Sequence, residues 1–165
     1  MTTTPGKVVH LDDVEPIRWA GEESGRWLLR AEDTGGAYSF YEVTVPAGQG
    51  ALFHIHQDVD ETFFVTEGEF EIRIGEQTYR AIAGALVYGP RGVGHAFRNT
   101  WDRPSAMLCI TTPGGIEVFF SELSDLLRAD PPPEWERMRE LAAKHRIVAF
   151  PPSGGAHPVN PADEE

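Results

Sequence analysis

The chain has 165 residues, enough for one domain with a substantial buried core. It carries 14 basic and 26 acidic side chains, and the net charge of −12 repels nucleic acid and anionic membrane surfaces, which leaves a small molecule or another subunit as the expected partner. A single cysteine, Cys109, excludes an internal disulfide and thiolate clusters, so any metal must be held by nitrogen and oxygen.

Residues 1–6 read as a flexible N-terminus. From residue 7 to 112 the chain shows short runs of β-branched and aromatic residues punctuated by glycine and proline: RWLLRA (26–31), AYSFYEVTV (37–45), ETFFVTE (61–67), FEIRI (70–74), ALVYG (85–89), HAFRN (95–99) and SAMLCITT (105–112). Closely spaced short strands indicate an antiparallel sandwich or barrel, so this region is all-β.

Past Pro113-Gly114-Gly115 the period changes. Ile116, Phe119, Phe120, Leu123, Leu126 and Leu127 recur at helical spacing and predict an amphipathic helix. Pro131, Pro132 and Pro133 break it, and a second helical period runs through Trp135, Met138, Leu141 and Ala142, with Lys144, His145 and Arg146 suited to its C-terminal dipole. These helices, at about 116–146, are expected to pack on the barrel or on a neighbouring subunit. IVAF (147–150) predicts a short edge strand, and 151–165 reads as a mobile tail. No internal repeat is visible, so 7–150 forms one module. No apolar run reaches the ~18 residues that cross a bilayer, and the start lacks a secretory signal, so a cytoplasmic location is expected.

The segment HIHQDVDE (54–61) carries the chemistry. Residues two apart on a strand point the same way, so His54 and His56 present two imidazoles to one face. With a turn over 57–60, Glu61 returns beside them on the next strand. His95 is the candidate fourth donor, because it opens the strand HAFRN directly after the turn-rich GPRGVG. Three imidazoles and a carboxylate suit one divalent transition ion, Fe, Mn, Co, Ni, Cu or Zn, and ill suit Ca or Mg, which prefer all-oxygen shells. Such a set leaves a coordination position open to substrate or dioxygen.

Alternation that turns His95 inward also turns Phe97 inward, and Glu61 brings Phe63 and Val65 with it. Tyr41, Phe53, Met107 and Trp27 are further candidates for the pocket. An aromatic lining favours a largely apolar substrate over a sugar acid. His10, His145 and His157 are expected to be solvated. Cys109 reads as a small buried apolar residue. Arg91, in the turn before His95, is placed to meet an anionic substrate or water.

The frame around these residues resembles the cupin family. Its first motif, glycine, five residues, H-x-H, three or four residues, glutamate, six residues and glycine, is met by Gly48, His54, His56, Glu61 and Gly68. Its second, glycine, five residues, P-x-G, two residues, histidine, three residues and asparagine, is met by Gly84, Pro90, Gly92, His95 and Asn99. The resemblance implies a one-domain jelly-roll barrel, a metal held by His54, His56, Glu61 and His95, a pocket at one end of the barrel, and a homodimer. The glycines and Pro90 fit turns, and Asn99 fits a turn or backbone hydrogen-bond role.

Chain length, the intact ligand set and the proline-broken helical tail resemble in particular the quercetinase-like dioxygenases. That implies a metal-dependent dioxygenase of flavonol-like or other enolic or phenolic small molecules, with Glu61 acting as both ligand and base. Cupins also include isomerases, decarboxylases, polyketide cyclases and binders. The alternatives are therefore a non-oxidative cyclase or isomerase of secondary metabolism, or a metal-bearing binding module.

Overall fold

A computed structural model describes residues 6–19 and 23–151. After a 3-10 turn at Leu11–Asp13 come β1 (Ile17–Arg18), β2 (Ser24–Leu29), α1 (Ala31–Thr34), β3 (Ser39–Val45), β4 (His54–His56), β5 (Asp60–Glu67) and β6 (Glu69–Ile74). They are followed by β7 (Gln77–Ile82), β8 (Leu86–Gly89), β9 (His95–Asn99), β10 (Ser105–Thr112), α2 (Ile116–Leu127), α3 (Trp135–Lys144) and β11 (Ile147–Ala149). The strands form two antiparallel sheets, in the orders β1-β2-β3-β10-β5-β8 and β11-β4-β9-β6-β7. The strand pattern predicts an antiparallel sandwich or barrel, and this is the jelly-roll barrel that the family resemblance implies, with the two C-terminal helices added.

The core lies between the sheets. Alternate residues of β3 (Tyr41, Val43, Val45), β5 (Phe63, Val65), β6 (Phe70, Ile72) and β10 (Met107, Cys109) are buried in it. Removal of these side chains from water is the main force closing the barrel. The motif residues outside the ligands support its turns. Gly68 has φ 79°, and a Cβ there would lie 2.0 Å from Ser105 Oγ, so no side chain fits. Asn99 Nδ2 donates to Val45 O (2.9 Å) and Arg103 O (2.8 Å), while its Oδ1 accepts from Trp101 N and Ser105 Oγ, locking the end of β9 to the ends of β3 and β10.

Three differences from the sequence pattern have physical causes. The run RWLLRA predicts a strand through residue 31, but β2 stops at Leu29 and Ala31 opens α1, where Arg30 N–H is held by Asp33 Oδ2 (3.0 Å) and Gly35 ends the turn at φ 63°. Strand β7 is invisible to an apolar-run reading, because only Ala81 of its six residues is buried at this outer edge. The turn after β4 spans 57–59, and Asp60 already belongs to β5.

The helices are fastened to the barrel. Glu117, buried at the start of α2, accepts hydrogen bonds from Ala31 N–H (2.7 Å) and Ser39 Oγ (2.6 Å). Ser124 Oγ donates to Arg18 O (2.8 Å), and Phe120 packs on Trp19 with ring centroids 4.3 Å apart. The chain then returns through α3 to place β11 beside β4, pairing Ile147 with His56 and Ala149 with His54. Among the described residues, no helix is long and apolar enough to cross a membrane. The proposed N-terminal arm up to residue 5 and the tail from residue 152 lie outside the described residues.

Candidate metal centre

Strand pairing brings the four sequence-predicted donors together. β4 and β9 are neighbours, with His54 directly opposite His95, and Glu61 enters from β5 in the facing sheet. Ligand atoms of His54, His56, Glu61 and His95 all lie within 4.8 Å of one another. His54 Nε2 faces His56 Nε2 at 3.1 Å, and Glu61 Oε2 lies 3.0 Å from His95 Nε2 and 3.4 Å from His56 Nε2.

The environment sets their charge. His54 donates its Nδ1–H to Leu52 O (2.7 Å), which leaves the Nε2 lone pair directed at the centre. Burial and the neighbouring His95 and His56 hold His54 well below the usual histidine range, so the neutral ring is favoured. Burial alone would raise Glu61, but hydrogen bonds and charge from His56 and His95 outweigh it and hold the carboxyl well below the usual range. Tyr41 donates its hydroxyl to Glu61 Oε1 at 2.5 Å, and burial followed by the Glu61 charge keeps it protonated far above the ordinary tyrosine range.

These donors fit a metal ion. Two imidazole nitrogens facing each other at 3.1 Å need a positive centre between them, and a proton on one ring relieves only one contact. A cation among three nitrogens and one carboxylate oxygen relieves all of them. The N3O donor set is that of a divalent transition ion.

The centre opens into a cavity of about 310 Å³. His54, His56 and Glu61 line it together with Tyr41, Phe53, Phe63 and Phe97, four of the residues expected there from strand alternation and aromatic character. Met107 does not line it. It points into the barrel but is fully buried beside Val43 and Val65, in the packed core. Val65 and Trp27 are likewise core residues outside the cavity lining. The rest of the wall is apolar and comes from elements whose packing the sequence does not reveal: Trp19, Phe119, Phe120 and Leu123, then Trp135 and Met138 of α3. Helical periodicity marks these α2 and α3 side chains as one buried face without saying what they face. Glu23 and Cys109 also line the cavity, and Glu23 carries no sequence signal that separates it from surface acids such as Glu32. A larger groove of about 660 Å³ runs over the outside of β6 and β9 and contains none of the four donors.

Other side chains settle differently. Arg91 makes a two-pronged ion pair with Asp60, with contacts of 3.0 and 2.8 Å, and braces the turn that delivers His95. His145 is not simply solvated: its Nε2 lies 3.0 Å from Glu122 Oε2 and its ring packs edge-on against Phe119. His10 is exposed, and His157 lies outside the described residues.

Comparison with known proteins agrees with this architecture. The family profile described as "Cupin domain" matches residues 41–111, a span that includes all four donors. The protein SchB of Streptomyces halstedii is 33% identical over 103 residues, covering 62% of this chain and 74% of SchB. The polyketide synthase CurC of Streptomyces cyaneus is 27% identical over 135 residues, covering 76% of this chain and 86% of CurC. Among solved structures, the polyketide cyclase RemF from Streptomyces resistomycificus superposes with a TM-score of 0.58 at 23% identity, over 66% of this chain and 80% of that one. The chain belongs to the cupin superfamily.

Proposed function

We propose that this protein is a metal-dependent cyclase that closes a ring on an enolisable, largely apolar, polyketide-like substrate without oxidation. The observation that carries the reading is the pairing of one N3O donor set with a cavity walled mostly by aromatic and aliphatic side chains. Such a site accepts an unsaturated, oxygen-bearing chain and offers little to a sugar. The likeness to CurC, a polyketide synthase by name, supports the substrate class, and RemF, a polyketide cyclase by name, has the same fold.

A divalent ion held by His54, His56, His95 and Glu61 supplies Lewis acidity toward an enolate oxygen. The chain's own groups do the positioning and the proton transfer. Glu61 is the base: its carboxylate is ionised, and Tyr41 fixes its orientation from Oε1. Trp19, Phe120 and Phe63 exclude water and hold the substrate plane against their rings.

The test is an anaerobic assay of the zinc-, nickel- or manganese-loaded protein with a synthetic aryl poly-β-ketone thioester. The expected result is a cyclised product that has lost one water, formed without oxygen uptake. E61Q retains the metal and loses about a hundredfold or more in turnover, as removal of a general base does. Turnover only in air, with oxygen consumed, replaces the cyclase reading with the flavonol-type dioxygenase reading; tight binding without conversion replaces it with a binding module.

A further inference from the structure

Beyond the four donors, the cavity holds one more carboxylate. Glu23 precedes β2 and is partly buried, and its backbone carbonyl is anchored by Trp19 N–H at 3.1 Å. Its side chain lines the same cavity as His54, His56 and Glu61, and no lysine or arginine lines that cavity among the described residues. The ionisable groups that share it are Glu61, Tyr41, Cys109, His54 and His56. Glu23 is within electrostatic reach of three of them, since its charge contributes to holding Tyr41 and Cys109 protonated and it feels Glu61 in turn. A carboxylic acid in an apolar pocket, near an ionised carboxylate and with no lysine or arginine to pair with among the described residues, is an unusual expense of stability for a structural residue.

We propose that Glu23 is a second acid–base residue of this site, working opposite in sense to Glu61: it gives a proton to the substrate oxygen while Glu61 removes one from carbon.

Burial, followed by the charge of Glu61, pushes the Glu23 carboxyl up to about 7, whereas Glu61 is held well below the usual range. Two carboxyl groups whose surroundings drive them apart form an acid and base pair. The inference rests on the cyclase reading for its reaction. In that reaction Glu61 accepts a proton from the methylene carbon, the carbon–carbon bond forms to a ketone carbon, and the ketone oxygen receives the Glu23 proton. In the dehydration that follows, Glu23 takes a proton from the neighbouring ring carbon. The carbon–oxygen bond breaks as the ring double bond forms, and the departing hydroxide leaves as water with the proton held by Glu61. Both side chains end as they began, and no electron acceptor is needed.

The experiment uses the zinc-loaded full chain with isotopically labelled glutamate carboxyl carbons, followed by NMR across neutral pH. The expected result is one carboxyl resonance with a midpoint raised above the ordinary glutamate range, absent from E23Q and shifted by added benzoylacetone. No such resonance, or one that the diketone leaves unmoved, overturns the proposal. A thermal readout removes the structural explanation. A carboxyl raised from 4.5 to about 7 in the fold contributes its stability in full below 4.5 and loses it as pH rises through about 7. Glutamine stays neutral throughout, so the Tm of E23Q gains on the parent as pH rises through that window, with zinc content unchanged. A Tm deficit at every pH overturns the proposal in favour of a packing role. Failure of the cyclase reading looks different: the resonance and its shift persist while no poly-β-ketone is cyclised.

Discussion

The cavity has two walls built by different means. The polar wall comes from β4, β5 and β9, where the backbone ladder fixes each donor: His54 faces His95 across one pair, and Glu61 is set by pairing with Thr111 and Gly89. The apolar wall comes from α2, α3 and the segment around Trp19, held by side-chain packing such as the 4.3 Å Trp19–Phe120 contact. Ladder register is discrete, because a slip of one residue turns every side chain to the other face. Packing is graded and tolerates exchange of similar volumes. The four donors therefore sit on the wall that cannot drift, and most of the apolar lining sits on the wall that can.

Substitutions sharpen this contrast. The largest effect is expected at the polar wall: H56A lowers metal affinity by more than about 100-fold and reduces Tm in the metal-loaded state, as elemental analysis and calorimetry would show. Metal retained at one ion per chain would remove the proposed centre. At the apolar wall, F120A costs about 3 kcal/mol of stability by denaturant titration, near the low end for a buried ring because Phe120 is only partly buried. Metal content stays unchanged, and the preferred ligand becomes larger. Between the walls, Gly25 lies where an added Cβ would sit 1.9 Å from the Trp19 ring. G25A accordingly costs about 2 kcal/mol through overpacking and changes ligand binding without touching a donor. The smallest effect belongs to R91A, which frees Asp60, a carboxyl held down to about 2 by Arg91. Because that pair is exposed, turnover and metal content change by less than about twofold.

The two walls were also unequally legible in the sequence. His54, His56, Glu61 and His95 stand out because coordination restricts both residue type and spacing. The barrel follows from the strand runs, apart from β7, whose exposure erases the apolar signal. Alternation identifies the inward face of a strand but not the depth along it. That is why Phe97 and Met107 look equivalent in sequence while one reaches the cavity and the other fills the core. The α2 and α3 side chains show a helical apolar face, yet their contact with the barrel is long-range and leaves no local trace. Glu23 is the extreme case: between Glu22 and Ser24 in a polar segment it resembles any solvated acid, and only the cavity around it makes it distinctive.

The pairing of β11 with β4 sets an order of events during biosynthesis. The strand bearing two of the donors gains its second backbone neighbour only from Ile147–Ala149, near the end of the described chain. A nascent polypeptide emerging from the ribosome thus exposes the H-x-H strand with one edge bare until Ile147–Ala149 has been made. Capture of an ion by the proposed centre is consequently expected to follow the synthesis of β11, and chains that terminate before Ile147 should be poor scavengers of cellular metal.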